Sequence, residues 1–496
     1  MMVSSEAAPW AKSGGLADVV GALPAALTRL GHAVSVVIPR YMQALRAPAS
    51  RIAQRVPVPL GFGTRYVDIW TLDSNGVTFF FVDDMGLYGR DGLYGDRYGE
   101  YGDNHVRFAL LCRAALEIAR RFFPTDIFHC HDWPAGLLPL YLKESPAVDP
   151  PFLGAKSLMT IHNLAYRGIF PASKMGDIGL PPRLYRPDLV EFWGRISLLK
   201  AGLVYADAIS TVSKKYAQEI QTLEQGEGLD GLLRARHASL TGIVNGIDDS
   251  LWDPATDRHL PAHYSAGDLT GKQTCKRDLI REMGLAESAA ARPLLGIISR
   301  FAFQKGFDIF RDIAWEMMTR NDVSLVVLGS GDADVQEMFG YLNSHYPGRV
   351  GLKIGFDDGL AHRIEAGCDI FLMPSRYEPC GLNQMYSLRY GAIPVVRATG
   401  GLDDTVTAFP DPESTGFKFF DYNGWALLGA VREALGAYAD PEVWTPMMVR
   451  GMQKDFSWAA SAGEYSRLYR ELHPRELHPD ELHPEDARQT LMKARI

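Results

Sequence analysis

A strand that ends in a basic, glycine-bearing loop and passes into a helix occurs twice in this chain. The first copy is Lys12-Ser13-Gly14-Gly15, which follows a short apolar opening and precedes a helical pattern from about Leu16 to Leu30, with a kink expected at Pro24. The second follows the apolar run Leu294-Leu295-Gly296-Ile297-Ile298, where Arg300 and Lys305-Gly306 lead into a helical pattern over 307–318. Glycine lets a ligand approach the backbone closely, and a helix start presents unsatisfied N–H donors with a partial positive charge. Such a loop suits an anion, above all a phosphate. Taken singly, each loop reads equally well as a plain turn and each cation as a surface charge. The repeat of the whole unit is what constrains the fold. Alternating strands and helices around two such loops predict an α/β protein of two Rossmann-like, doubly wound domains facing each other across a cleft.

Length supports two domains, since 496 residues exceed one ordinary core. Apolar content of 47% and charged content of 22% are those of a globular chain. A formal charge of −8 without a Lys/Arg run argues against a nucleic-acid surface. There is neither an apolar stretch of transmembrane length nor a basic-then-apolar leader, so a cytoplasmic protein without membrane partners is expected. The five cysteines are widely spaced and lack a Cys-x-x-Cys pair, as reduced thiols would be. Oligomeric state is left open, with an oligomer compatible.

The remaining strands are expected around 34–38, 66–71, 77–82, 126–129, 157–161, 208–212, 323–328, 370–373 and 393–396. Several end in polar residues, including His131-Asp132 and His162-Asn163. Ligands bind beyond the carboxyl ends of strands in open α/β sheets. The boundaries expected are 1–243 for the first domain, 244–455 for the second, a helix over 456–471 and a tail over 472–496. That tail repeats Glu-Leu-His-Pro from Glu471, Glu476 and Glu481. Proline at that spacing excludes a regular helix, and its histidines read as a solvated spacer before they read as metal ligands.

Chemistry concentrates in a few loops. Arg300 and Lys305 could neutralise a diphosphate, Arg as a planar fork and Lys as a point charge. Glu378 sits between an apolar strand and a helix start, where it could accept sugar hydroxyls or simply favour the helix terminus. Gly400-Gly401 supplies another N–H-rich turn. Asp332-x-Asp334 has the spacing of a metal pair but follows Gly329-Ser330-Gly331 beside cations, so a plain turn is expected there.

These residues carry a resemblance. Lys12-Ser13-Gly14-Gly15-Leu16-Ala17-Asp18-Val19 resembles the Lys-x-Gly-Gly-Leu signature of bacterial glycogen synthases and plant starch synthases. His131-Asp132-Trp133, Ile161-His162-Asn163-Leu164, Asn245-Gly246-Ile247-Asp248, Gln304-Lys305-Gly306, residues 375–384 and Thr399-Gly400-Gly401-Leu402 match in the same order, over about residues 1–470. Departures are mild: Ser13 for a common Thr, Pro134 for a usually polar residue, Ala398 for a frequent Arg, and a short first strand.

The resemblance implies the GT-B fold and transfer of glucose from ADP-glucose to the non-reducing end of an α-1,4-glucan, with retention of configuration. It implies catalytic roles for Glu378, His162, Arg300, Lys305 and Asp132. His162 would contact the donor glucose, its backbone carbonyl being a candidate stabiliser. Cys380, Gly381 and Leu382 would offer N–H groups to glucose hydroxyls. Phe356 falls where the family places an aromatic on adenine, with a core residue as the equal alternative. Tyr94 and Asp132 match positions near donor or acceptor. Lys12, Gly14, Gly15, Asp18, Asn163, Asn245, Thr399, Gly400 and Gly401 are assigned to substrate binding by their motifs. No cofactor and no metal is expected. The competing readings are a UDP-glucose-dependent GT-B transferase, an inactive glucan-binding protein, and an NAD-type dehydrogenase. The last lacks Gly-x-Gly-x-x-Gly after its first strand.

Overall fold

The structure, a computed structural model, describes residues 1–61, 63–144, 152 and 154–474. The greater part of the Glu-Leu-His-Pro tail therefore lies outside the described residues.

Two sheets organise the chain. The first has nine strands in the order Leu240–Gly242, Ala208–Thr211, Lys156–Ile161, Ile127–His131, Met2–Val3, Ser35–Pro39, Val77–Asp83, Gly63–Ser74 and Ser50–Leu60. All neighbours pair in parallel up to Val77–Asp83, and the last two strands are antiparallel. Sequence reading missed Ser50–Leu60. Pro57 and Pro59 interrupt that run, and proline is tolerated because the strand lies at the sheet edge. The helix Gly15–Arg29 runs as one element through Pro24, longer at its start than expected.

The second sheet has six parallel strands, ordered Val350–Ile354, Ser324–Gly331, Leu294–Phe301, Ile370–Met373, Ile393–Arg397 and Phe417–Phe419. Counted from the domain's own start this is 3-2-1-4-5-6, the doubly wound dinucleotide-type order. Alternation along each strand fills two cores. Leu295, Ile297, Leu325, Val327, Ile370 and Leu372 pack on one face, and Leu294, Val326, Leu328, Phe371 and Met373 on the other. Side chains of a strand point alternately to its two faces, so apolar runs such as these need helices on both sides.

The chain crosses between domains twice. Near the first crossing, Ile247 N–H donates to Phe456 O, and Ile247 pairs with Ser457. The returning helix Trp458–Leu472 places Trp458, Ala462 and Tyr465 in the core of the first domain. Ser461 Oγ donates to Val244 O at 2.7 Å, tying both crossings together.

Candidate active site

Both sheets direct their strand ends at one cleft of about 610 Å³ between the domains. In the second domain the order reverses between Leu294–Phe301 and Ile370–Met373; Arg300 is the penultimate residue of the first of these strands, and the loops that follow the two carry Lys305 and Glu378. Gly306 lets the loops meet. It is left-handed at φ 73°, and a Cβ there would stand 1.9 Å from Pro374 O. Lys305 Nζ consequently reaches Glu378 Oε2 at 2.6 Å, and Ser375 Oγ donates to the same oxygen at 3.0 Å. Glu378 is 5% exposed. Its backbone is pinned from behind. Gly401 N–H donates to Glu378 O at 3.1 Å, and a Cβ on Gly400 would lie 1.9 Å from that oxygen.

Arg300, Asn245, Cys380, Gly381 and Leu382 also line the cleft. The Arg300 side chain has no carboxylate partner among the described residues, so its charge is free for a ligand. Asn245 Oδ1 is buried without a hydrogen-bond partner among the described residues and is an acceptor available to a hydroxyl. Phe356 is 88% exposed at the cleft edge, which removes the core alternative and leaves a bare aromatic face.

The first domain contributes the opposite wall. Asp132 follows the strand Ile127–His131 in a left-handed conformation, φ 54°. Its carboxylate accepts from His162 N–H at 2.7 Å and lies 3.5 Å from Asn163 N. Burial pushes the Asp132 carboxyl up to about 7, against the opposing pull of those two N–H groups. Burial also drives His162 down to about 3, so its imidazole is neutral, and it shares a 2.9 Å hydrogen bond with His131. Asp132 thus fixes the backbone that carries His162 and Asn163 into the cleft.

Glu6 was invisible to sequence reasoning and changes the reading of the first glycine loop. Its carboxylate accepts from Ser13 N–H at 2.5 Å, Ser13 Oγ at 2.7 Å and Gly14 N–H at 3.1 Å. Tyr94 OH donates to it at 2.5 Å. The N–H groups of Ser13 and Gly14, expected to meet a ligand anion, are therefore held by the protein's own carboxylate. Gly14, Gly15, Glu6 and Tyr94 remain on the cleft wall. Lys12 and Asp18 are outside that lining and pair with each other at 2.6 Å on the surface.

A second correction concerns Thr399-Gly400-Gly401, expected to present N–H groups to a diphosphate. Glu219 of the first domain is there instead. Its carboxylate accepts from Gly400 N–H at 3.0 Å and Thr399 Oγ1 at 3.1 Å. Lys215 N–H donates to Asp404 at 3.0 Å beside it. The turn is an interdomain clasp that supports Glu378 from behind rather than part of the cleft wall. No spacing in the sequence links Glu219 to residues 399–400. Asp332 and Asp334 form a turn and helix start, with Asp334 on Arg311 at 3.0 Å.

Two doubly wound domains with cations, a carboxylate and a bare aromatic converging on the cleft between them define a nucleotide-sugar glycosyltransferase of the GT-B type. Residues 1–235 match the family described as starch synthase catalytic domain, and residues 286–444 match glycosyl transferases group 1. The chain is 47% identical over 472 residues to a glycogen synthase of Koribacter versatilis, covering 94% of this chain and 96% of that one. It is 49% identical to a glycogen synthase of an Anaeromyxobacter species, over 95% and 99% of the two chains. A solved catalytic domain of starch synthase IV from Arabidopsis thaliana, bound to ADP and acarbose, superposes with a TM-score of 0.86 at 33% identity, covering 95% of this chain and 98% of that one. The chain belongs to the glycogen and starch synthase family of glycosyltransferases.

Proposed function

We propose that this protein elongates an α-1,4-glucan by moving glucose from ADP-glucose to the non-reducing end, with retention at the anomeric carbon. The observation that carries this reading is the Lys305–Glu378 pair, held at 2.6 Å in the cleft beside Arg300, which has no carboxylate partner among the described residues. A departing nucleoside diphosphate gains negative charge as the glycosidic bond breaks. Preorganised cations stabilise that charge in the transition state more than in the ground state. Arg300 and Lys305 take the diphosphate. Glu378, Asn245 and the N–H groups of Cys380, Gly381 and Leu382 take glucose hydroxyls. Phe356 stacks on adenine, and the His162 carbonyl faces the electron-poor anomeric carbon. A retaining double displacement needs a carboxylate nucleophile close to an acid. Glu378 is committed to Lys305 and Ser375, and Asp132 to the backbone of residues 162–163. Front-face displacement, with the leaving phosphate drawing the proton from the acceptor hydroxyl, fits this arrangement.

The reaction as proposed requires no metal and no cofactor. Among the described residues no helix is long and apolar enough to cross a membrane, and the five cysteines are buried and unpaired. A cytoplasmic location is part of the same proposal, and five buried, unpaired cysteines support it. The test is release of ADP or UDP from each sugar nucleotide, with and without glycogen and in EDTA. Glycogen-dependent ADP release that survives EDTA and is nearly abolished in a folded Glu378→Ala variant supports the proposal. Preference for UDP-glucose, or undiminished turnover in that variant, refutes it.

A further inference from the structure

The helix Asp358–Gly367 begins directly after Phe356 and Asp357; Ala361 of this helix lines the cleft, whereas Asp358 and His362 do not. Asp358 and His362 are four residues apart on it and therefore share a face. His259, from the segment that follows the first crossing, stands over that face, its ring centroid 4.8 Å from that of His362. One ligand atom from each of His259, Asp358 and His362 lies within 4.8 Å of the others.

The surroundings of His362 go beyond chance proximity. The side chain is 95% buried, and its Nδ1 is 2.6 Å from Asp257 Oδ2. Asp257 is fixed in turn by Tyr390 OH at 2.6 Å and by His259 N–H at 2.8 Å. Trp252 stacks on the imidazole with centroids 3.7 Å apart and rings 11° from parallel. Nδ1 is thus the nitrogen occupied by a carboxylate, and Nε2 has no hydrogen-bond partner among the described residues. A carboxylate on one imidazole nitrogen and an open second nitrogen is the arrangement that orients a metal-ligating histidine and raises its basicity.

We propose that His259, Asp358 and His362 bind one zinc-class divalent cation, with water completing a four-coordinate shell. Two imidazoles and one carboxylate are a donor set suited to Zn²⁺ and its neighbours rather than to Mg²⁺ or Ca²⁺. Bonds of about 2.1 Å span at most about 4.2 Å between ligand atoms, so the set draws in on loading. Asp358, exposed at the first turn, is the ligand free to move. Gly359 keeps the approach open, since a Cβ there would meet His259 Nδ1 at 3.1 Å. Of the neighbouring cations, Arg363 is held by both oxygens of Glu282 at 2.6 Å. Arg258 touches His259 Nε2 only at 3.4 Å from an exposed side chain that can turn to solvent. The bound ion would tie the 257–259 segment to the helix that follows Phe356. This site is separate from the diphosphate machinery and does not depend on which glucosyl donor is used.

The test is a titration of the metal-free, full-length protein with Co²⁺, read by the visible absorption of four-coordinate cobalt, followed by competition with Zn²⁺. Because the tail carries its own histidines, the titration is done with His473→Ala, His478→Ala and His483→Ala in place. One equivalent is expected to bind with that spectrum and to be displaced by Zn²⁺. His259→Ala and Asp358→Asn should each weaken binding at least tenfold while thermal melting of the metal-free protein stays unchanged. Using the two less buried ligands avoids disturbing the His362 stack. Absence of the four-coordinate spectrum at micromolar protein, or wild-type affinity in either variant, would overturn the proposal.

Discussion

Replacing Glu6 by alanine should damage both the stability and the rate of this enzyme. Four donors converge on that carboxylate, two backbone N–H groups and two hydroxyls, and the residue is 3% exposed. Hydrogen bonds to a charged group contribute about 1.5–3 kcal/mol each, but four on one carboxylate do not add. Ser13 is exposed and Gly14 half-buried, so their donors can turn to water, while Tyr94 OH keeps Ser5 Oγ at 2.7 Å. A loss of about 2–4 kcal/mol follows, well below the simple sum of about 6–12 kcal/mol. For a domain of this size that corresponds to roughly 5–10 °C in the transition of the first domain. Release of the glycine loop also displaces the wall next to His162 and Tyr94, and a misplacement of about 1 Å costs on the order of 10²-fold in rate. Glu6→Gln keeps the shape but turns an amide N–H₂ toward groups that are themselves donors, so it should fall between wild type and alanine. Differential scanning calorimetry and glycogen-dependent ADP release measure the two effects. An alanine variant that melts and turns over like wild type would show that the loop holds its own shape and that Glu6 is dispensable.

Other consequences follow from the same geometry. Lys305→Ala leaves Glu378 without its cation and the diphosphate with Arg300 alone; turnover should drop about 10²–10³-fold with little change in the glucan KM. A change confined to glucan affinity would remove Lys305 from the leaving-group side. Phe356→Ala should raise the donor KM roughly two- to tenfold with no change in melting, because the ring is 88% exposed and stacking contributes about 0.5–1.5 kcal/mol; an unchanged donor KM would refute the adenine contact. Glu219→Ala breaks the clasp on Thr399 and Gly400, and small-angle scattering should register a larger radius of gyration, whereas an unaltered radius would mean that the crossings alone set the domain spacing. Stability should decline in acid. His162, buried neutral with its value near 3, contributes fully above the unfolded value of 6.5 and loses that contribution as pH falls, roughly 2 kcal/mol by pH 5. Asp132, raised to about 7, works in reverse and gains roughly 2 kcal/mol over the fall from pH 7 to pH 5. These nearly cancel, and His129 and His131, both held well below their ordinary value by burial, tip the balance toward loss. Asp132→Asn removes the offset, so urea denaturation at pH 7.5 and 5.0 should show a steeper acid loss in that variant; a shallower one would contradict the sign.

The sequence by itself determined the local pattern. Two strand–glycine loop–helix units could be read because apolar runs of strand length and helical periodicity are properties of neighbouring residues. The placement of Arg300, Lys305, Glu378, His162 and Asp132 at strand ends follows from the same run lengths, as does the amphipathic helix that became Trp458–Leu472. The edge strand Ser50–Leu60 escaped because its prolines are forbidden in a sheet interior and harmless at a sheet edge, and only pairing reveals which applies. Tertiary structure alone decided what each polar group faces. Glu6 fills the glycine loop expected to face a ligand, and Glu219 crosses 180 residues to close the Thr399-Gly400 turn. Phe356 stands bare where a core position was an equal reading. Each of these turns on a contact between segments distant in the chain. Periodicity tells a side chain which face of its element it occupies; what stands on that face is fixed only when the elements pack.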